Sequence, residues 1–140
     1  MPNVSLKLRL SGDRKLGPGK IRLLELIGEL GSIWAAGREM KMSYGRAWNL
    51  TSELNTMFDE PMIAAHRGGS KRGGATLTAR GEEVVRHYRS IEALVMHDSG
   101  DHLRALDAML PGHRAVRPGA DEGIARTESL PADSSALHEG

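Results

Sequence analysis

Two serines constrain this chain more than any other feature. Ser32 and Ser43 each stand at the head of a helical run, and only Lys41 and Met42 separate the two runs. Serine is a strong N-cap because its hydroxyl accepts a hydrogen bond from a backbone N–H that has no partner inside the helix. Two helices on so short a turn form an angled pair, the geometry of a helix-turn-helix. The first should reach about Met40, with Ala35 and Ala36 small enough to let another helix approach. The second is SYGRAWNLTSELNTMF, with Ala47, Leu50, Leu54, Met57 and Phe58 as its buried stripe.

The flanking segments fit around that pair. Val4 to Leu10 alternates apolar and polar residues, as a half-buried strand does. SGDRKLGPG reads as a turn-rich connector. A helix follows from Lys20, with Leu23, Leu24, Ile27 and Leu30 on one stripe and Gly31 as its C-cap. Beyond the serine-headed helices, Asp59, Glu60 and Pro61 end the helical pattern. MIAAHR and ATL then read as two short strands joined by a glycine-rich reversal. Thr78 is the next N-cap, Gly81 falls in the first turn, and Glu82 and Glu83 suit the positive helix end. Val84, Val85, Tyr88, Ile91, Leu94 and Val95 support a helix to at least Met96. A separate helical stretch is expected from Asp101 to Leu110, and Pro111 to Gly140 reads as a disordered tail.

The expected fold is therefore mainly α with a small β-wing: a winged helix-turn-helix plus a long carboxy-terminal dimerisation helix. Residues 1–96 are expected to form the winged-helix domain, 97–110 an additional helical segment available for dimerisation, and 111–140 the tail.

The glycine-rich reversal, HRGGSKRGGATLT, invites comparison with phosphate-binding loops. Gly68 and Gly73 have the P-loop separation, but Gly74 and Ala75 follow where a lysine and a hydroxyl are required. Paired glycines also fail the G-x-G-x-x-G pattern. Placed after a helix-turn-helix, the loop suits a wing whose Arg67, Lys71 and Arg72 follow a DNA backbone. An ordinary solvated hairpin is the blander alternative.

Sequence readout falls to the Ser43-headed helix. At about 100° per residue, with Ala47, Leu50 and Leu54 inward, Gly45, Asn49 and Ser52 face outward, flanked by Tyr44 and Arg46. Arg46 suits guanine and Asn49 suits adenine. Gly45 lets the backbone approach a phosphate, and Ser43 either caps the helix alone or also donates to a phosphate oxygen. Trp48 lies between faces and is expected to pack against a neighbouring helix or the wing base.

Composition narrows the function classes. Residues 1–95 hold 15 Lys and Arg against 10 Asp and Glu, and the rest hold 4 against 8, so a basic body precedes an acidic end. A polyanion partner suits the body. Cysteine is absent, which removes disulfides and thiolate sites and fits a cytoplasmic location. No signal peptide is visible, and no apolar run approaches the roughly 20 residues that span a bilayer. HExxH, G-x-S-x-G and S-x-x-K are absent, so no catalytic residue and no enzyme activity is expected. His97, Asp98, Asp101 and His102 crowd HDSGDH without closed ligand spacing, so no metal and no cofactor is expected.

ELGSIWAAGREMKMSYGRAWNLTSELN, followed by the glycine-rich wing and LTARG, resembles the amino-terminal domain of ModE-type molybdate-responsive transcriptional regulators. The telling residues are Gly31-Ser32-Ile33, Ala35-Ala36, Ser43-Tyr44, Ala47-Trp48, Leu77-Thr78 and Gly81. LysR-type regulators share the broad helix-turn-helix and the L-T-x-x-G step. The resemblance spans about Val4 to Tyr88. It implies a bacterial-type regulator that binds a palindromic operator in double-stranded DNA as a homodimer, with Ser43, Tyr44, Arg46, Asn49 and the wing bases at the operator. Two departures are Lys41, where the turn often has glycine, and Gly37, where alanine is usual. The family's carboxy-terminal oxyanion-binding modules have no counterpart after Tyr88, so molybdate sensing is not carried over and the small-molecule effector is unknown. The alternatives are a metal- or oxyanion-responsive sensor and a winged-helix protein-interaction adaptor.

Overall fold

The computed structural model describes residues 1–66 and 74–112. Arg67, Lys71, Arg72 and nearly all of the expected tail lie outside the described residues. The elements are β1 (Leu8–Leu10), a 3-10 turn (Ser11–Asp13), β2 (Arg14–Leu16), α1 (Pro18–Leu30), α2 (Ile33–Glu39), α3 (Tyr44–Asn55), β3 (Ile63–His66), β4 (Gly74–Leu77) and α4 (Ala79–Ala108). The protein is mainly helical, with two small antiparallel sheets among the described residues: β1 pairs with β2 and β3 with β4. Two compact units are present. One is Val4–His97; the other comprises Met1–Asn3 and the chain from Asp98 onward.

Helix starts follow local capping chemistry. The Ser32 hydroxyl accepts from the Ala35 N–H at 3.0 Å, and the Ser43 hydroxyl from the Arg46 N–H at 3.1 Å. Thr78 does the same for Gly81 at 3.0 Å. Gly31 caps α1 in the left-handed region, at φ 73°. α1 is central: Ile21, Leu23, Leu24, Leu26 and Ile27 are all buried, because this helix meets α2, α3 and β4. Leu30, expected on that buried stripe, is instead exposed in the last turn, where the helix stops.

Several other expectations change. The connector contains a strand, β2, whose register sets Leu8 opposite Leu16 and Leu10 opposite Arg14. Only Leu16 of β2 is buried, so no alternation marks it. β1 itself is confined to Leu8–Leu10. The extended segment before it is anchored by side chains of α4, where the Tyr88 hydroxyl donates to the Leu6 carbonyl at 2.6 Å. α3 stops at Asn55 rather than Phe58; Met57 still buries itself in the core from the following turn. α4 runs without a break through HDSGDH, where two helices had been expected. A helix-interior glycine such as Gly100 costs only about 1 kcal/mol, which a long helix absorbs. Tyr88, expected on the stripe that pairs with a second copy, is buried within the Val4–His97 unit, whereas Ile91 and Leu94 remain exposed.

The α2–α3 turn resolves one departure from the family pattern. Lys41 adopts φ 60°, its N–H bonds the Arg38 carbonyl, and the Met42 N–H bonds the Gly37 carbonyl. That pair of bonds is a Schellman cap, whose left-handed residue is normally glycine. A side chain in this conformation carries strain, so Lys41→Gly should raise stability by about 0.5–1 kcal/mol, read as a higher melting temperature.

One ion-pair cluster ties α1 to α4. Arg89 donates to both Glu25 oxygens, at 2.9 and 2.8 Å, and also to Glu92. The Arg89 hydrogen bonds hold the Glu25 carboxyl below its ordinary pKa, against the opposing effect of burial. The folded protein therefore binds that proton less readily than the unfolded chain. Its stabilising contribution is complete above the ordinary carboxylate range and is lost as pH falls through the lowered value. Because Arg89 is partly solvated, the contribution is about 1 kcal/mol or less. Between about pH 5 and pH 3 the melting temperature should fall more steeply for the natural protein than for Glu25→Gln.

Candidate nucleic-acid interface

α3 is held by its inner side. Ala47 and Leu54 are fully buried, and the buried Thr51 hydroxyl donates to the Ala47 carbonyl at 2.9 Å. α2 crosses it at Gly37, where an added Cβ would stand 2.8 Å from the Ala47 Cβ. The close approach was expected at the Ala35–Ala36 pair; Ala36 is buried, and Gly37, one residue on, also stands in close contact. Gly37, the second departure from the family pattern, is thus a packing requirement rather than a local weakness.

Each sequence-predicted residue on α3 lies on the exposed side. Ser43, Tyr44, Gly45, Arg46, Asn49 and Ser52 are all exposed. The Ser43 oxygen is occupied as a cap acceptor, which leaves its proton available to donate. A Cβ added at Gly45 would meet nothing within 4 Å, so the backbone there is open to close approach. Lys20, Arg22, Arg80, Arg89 and Arg104 are paired with carboxylates, whereas no ion pair among the described residues engages Arg46.

Three groups, none evident in the sequence pattern, fix α3 relative to its neighbours. Lys20 of α1 pairs with Glu53 at 2.9 Å. The Asn55 carboxamide donates to the Ile63 carbonyl at 3.0 Å and accepts from the Met62 and Ile63 N–H groups, both at 2.9 Å. Asn55 thereby attaches the end of α3 to the start of β3. The return strand is tied in turn, with the Ala75 N–H on the Gly31 carbonyl and the Thr78 N–H on the Met62 carbonyl. The β3–β4 pair is therefore bonded at its base to both α3 and the end of α1. An isolated asparagine before a turn carries no periodic signal, which is why Asn55 escapes sequence reading.

Trp48 departs from expectation. It is 44% exposed and stacks on Tyr44, itself 51% exposed, with ring centroids 6.3 Å apart and planes 25° from parallel. The buried positions of α3 are Ala47, Thr51 and Leu54, and Trp48 lies off that stripe. Among the described residues no group of three or more His, Asp or Glu side chains could hold a metal ion. No helix among them is long and apolar enough to cross a membrane.

No family model matches the chain. It is 40% identical over 79 residues to the molybdenum-pterin-binding protein MopB of Rhodobacter capsulatus, an alignment covering 56% of this chain and 29% of that protein. It is 32% identical over 108 residues to the transcriptional regulator ModE of Yersinia pestis, covering 77% of this chain and 40% of that protein. Over 106 residues it is 29% identical to the DNA-binding transcriptional dual regulator ModE of Escherichia coli, covering 76% of this chain and 40% of that protein. The chain spans well under half the length of the curated relatives it matches.

Proposed function

We propose, from kinship with the ModE and Mop proteins, that this chain is a sequence-specific DNA-binding transcriptional regulator of the winged helix-turn-helix type. In this reading α2 and α3 are the helix-turn-helix, α3 enters the major groove, and the β3–β4 hairpin is the wing. The observation that carries it is the exposed row on α3, where Arg46 and Asn49 stand out from a helix anchored on its opposite side. Arg46 and Asn49 have the donor and acceptor patterns of guanine and adenine recognition, and Ser43 and Gly45 suit phosphate contact. The role is binding, not catalysis.

The protein acts as a homodimer on a palindromic operator. Ile91 and Leu94 leave apolar surface on α4 that a second copy would cover. A two-fold pair sets two α3 helices about 34 Å apart, one turn of DNA. A monomer at micromolar concentration in analytical ultracentrifugation removes this part of the proposal.

The test of the whole is a mobility shift on a promoter fragment. Retarded DNA with affinity falling steeply as salt rises supports the regulator; no retardation, with capture of a protein partner instead, supports an adaptor. The molybdenum-pterin-binding names of the Mop relatives favour one second reading, an oxyanion-responsive sensor. A saturable rise in melting temperature with added molybdate, absent with sulfate, supports that reading.

A further inference from the structure

We propose that Trp48, braced by Tyr44, reads thymine by packing against its C5-methyl group in the major groove. This inference rests on the DNA-binding reading above. The chain has two Trp, two Tyr and one Phe. Tyr88 is 1% exposed in the core, yet Tyr44 and Trp48 lie 51% and 44% exposed on α3. Their rings stack at 6.3 Å, one helical turn apart, so each limits the other's rotamers and the exposed apolar surface is presented ready-made.

The position on the helix is specific. At about 100° per residue, Tyr44 and Trp48 share the flank that also bears Asn55, while Arg46 and Glu53 lie on the other flank. Asn55 bonds β3 and Glu53 bonds Lys20 of α1, so the aromatic pair belongs to the hairpin side of the reading face. Gly45, Asn49 and Ser52 occupy the strip between the two flanks. Arg46 and Asn49 answer polar base edges; the ring pair, beyond one Tyr44 hydroxyl and one Trp48 Nε1–H, offers apolar surface. The negative faces of aromatic rings do not favour phosphate oxygens. On the major-groove edge, thymine's methyl is the group that apolar side chains contact. The helix thus divides its readout, with hydrogen bonds from Asn49 and Arg46 and apolar contact from Trp48.

The test begins with a duplex selected by the full chain from a pool of random-sequence DNA. Each thymidine in it is then replaced, one at a time, by deoxyuridine, which removes only the methyl. At one thymidine or more, the natural protein should lose about fourfold in affinity, the value of one buried methyl. Trp48→Ala should bind the thymidine and deoxyuridine duplexes equally, while Trp48→Leu retains part of the difference. If no replacement changes the natural protein's affinity, or if the penalty persists undiminished in Trp48→Ala, the proposal is overturned while DNA binding stands. Should Trp48→Ala fail to fold, Trp48→Leu carries the comparison: a reduced penalty supports the proposal and a full one overturns it. A pool from which nothing is enriched defeats the DNA-reading function itself, and this inference with it.

Discussion

Gly81→Ala should cost this protein about 3 kcal/mol, lowering the melting temperature by about 10 °C. Gly81 is buried in the first turn of α4, and a Cβ built there would lie 2.4 Å from the Met62 carbonyl oxygen and 3.2 Å from its carbon. A flexible side-chain tip could swing aside; this backbone cannot. The Met62 carbonyl accepts from the Thr78 N–H at 3.0 Å, and the Met62 N–H is bonded to Asn55 at 2.9 Å. Any shift that relieves the clash breaks the bonds that join α3, β3 and α4. Gly45→Ala provides the contrast. Its new methyl meets nothing within 4 Å, so it should gain about 1 kcal/mol of helix propensity and melt higher. Circular dichroism melts of both variants check the pair, and a Gly81→Ala melt matching the natural protein would refute the packing described.

Arg46→Ala should leave the melting temperature unchanged and reduce discrimination between operator and random DNA by about 10- to 100-fold. The side chain is exposed and pairs with no carboxylate among the described residues, so its loss removes no structural contact. A bidentate guanine contact, by contrast, is made with one base and no other. Changing Lys71 and Arg72 together should weaken all sequences alike and reduce the slope of log affinity against log salt by about 2. Competition binding against unselected DNA separates the two patterns. Equal weakening of operator and random DNA by Arg46→Ala would assign this residue to the backbone and remove it from the reading head.

Four helix caps were legible from the sequence alone, although the first helix begins at Pro18 rather than Lys20 and no new helix begins at Asp101. Ser32, Ser43, Thr78 and Gly31 act through hydrogen bonds that close within three or four residues, so the information is local. The exposed row of α3 was legible for the same reason, since helical periodicity and an inner stripe at Ala47 and Leu54 determine what remains outside. Contacts between residues distant in the chain left no such trace. β2 exists because Arg14–Leu16 finds β1, Gly37 is needed because Ala47 arrives against it, and Asn55 matters because β3 passes its side chain. Trp48 falls on a flank of α3, and whether a flank residue is covered depends on which element packs beside it; here its ring stacks on Tyr44. Short-range hydrogen bonding is written into neighbouring residues, whereas packing partners and vacancies are decided only when the elements meet.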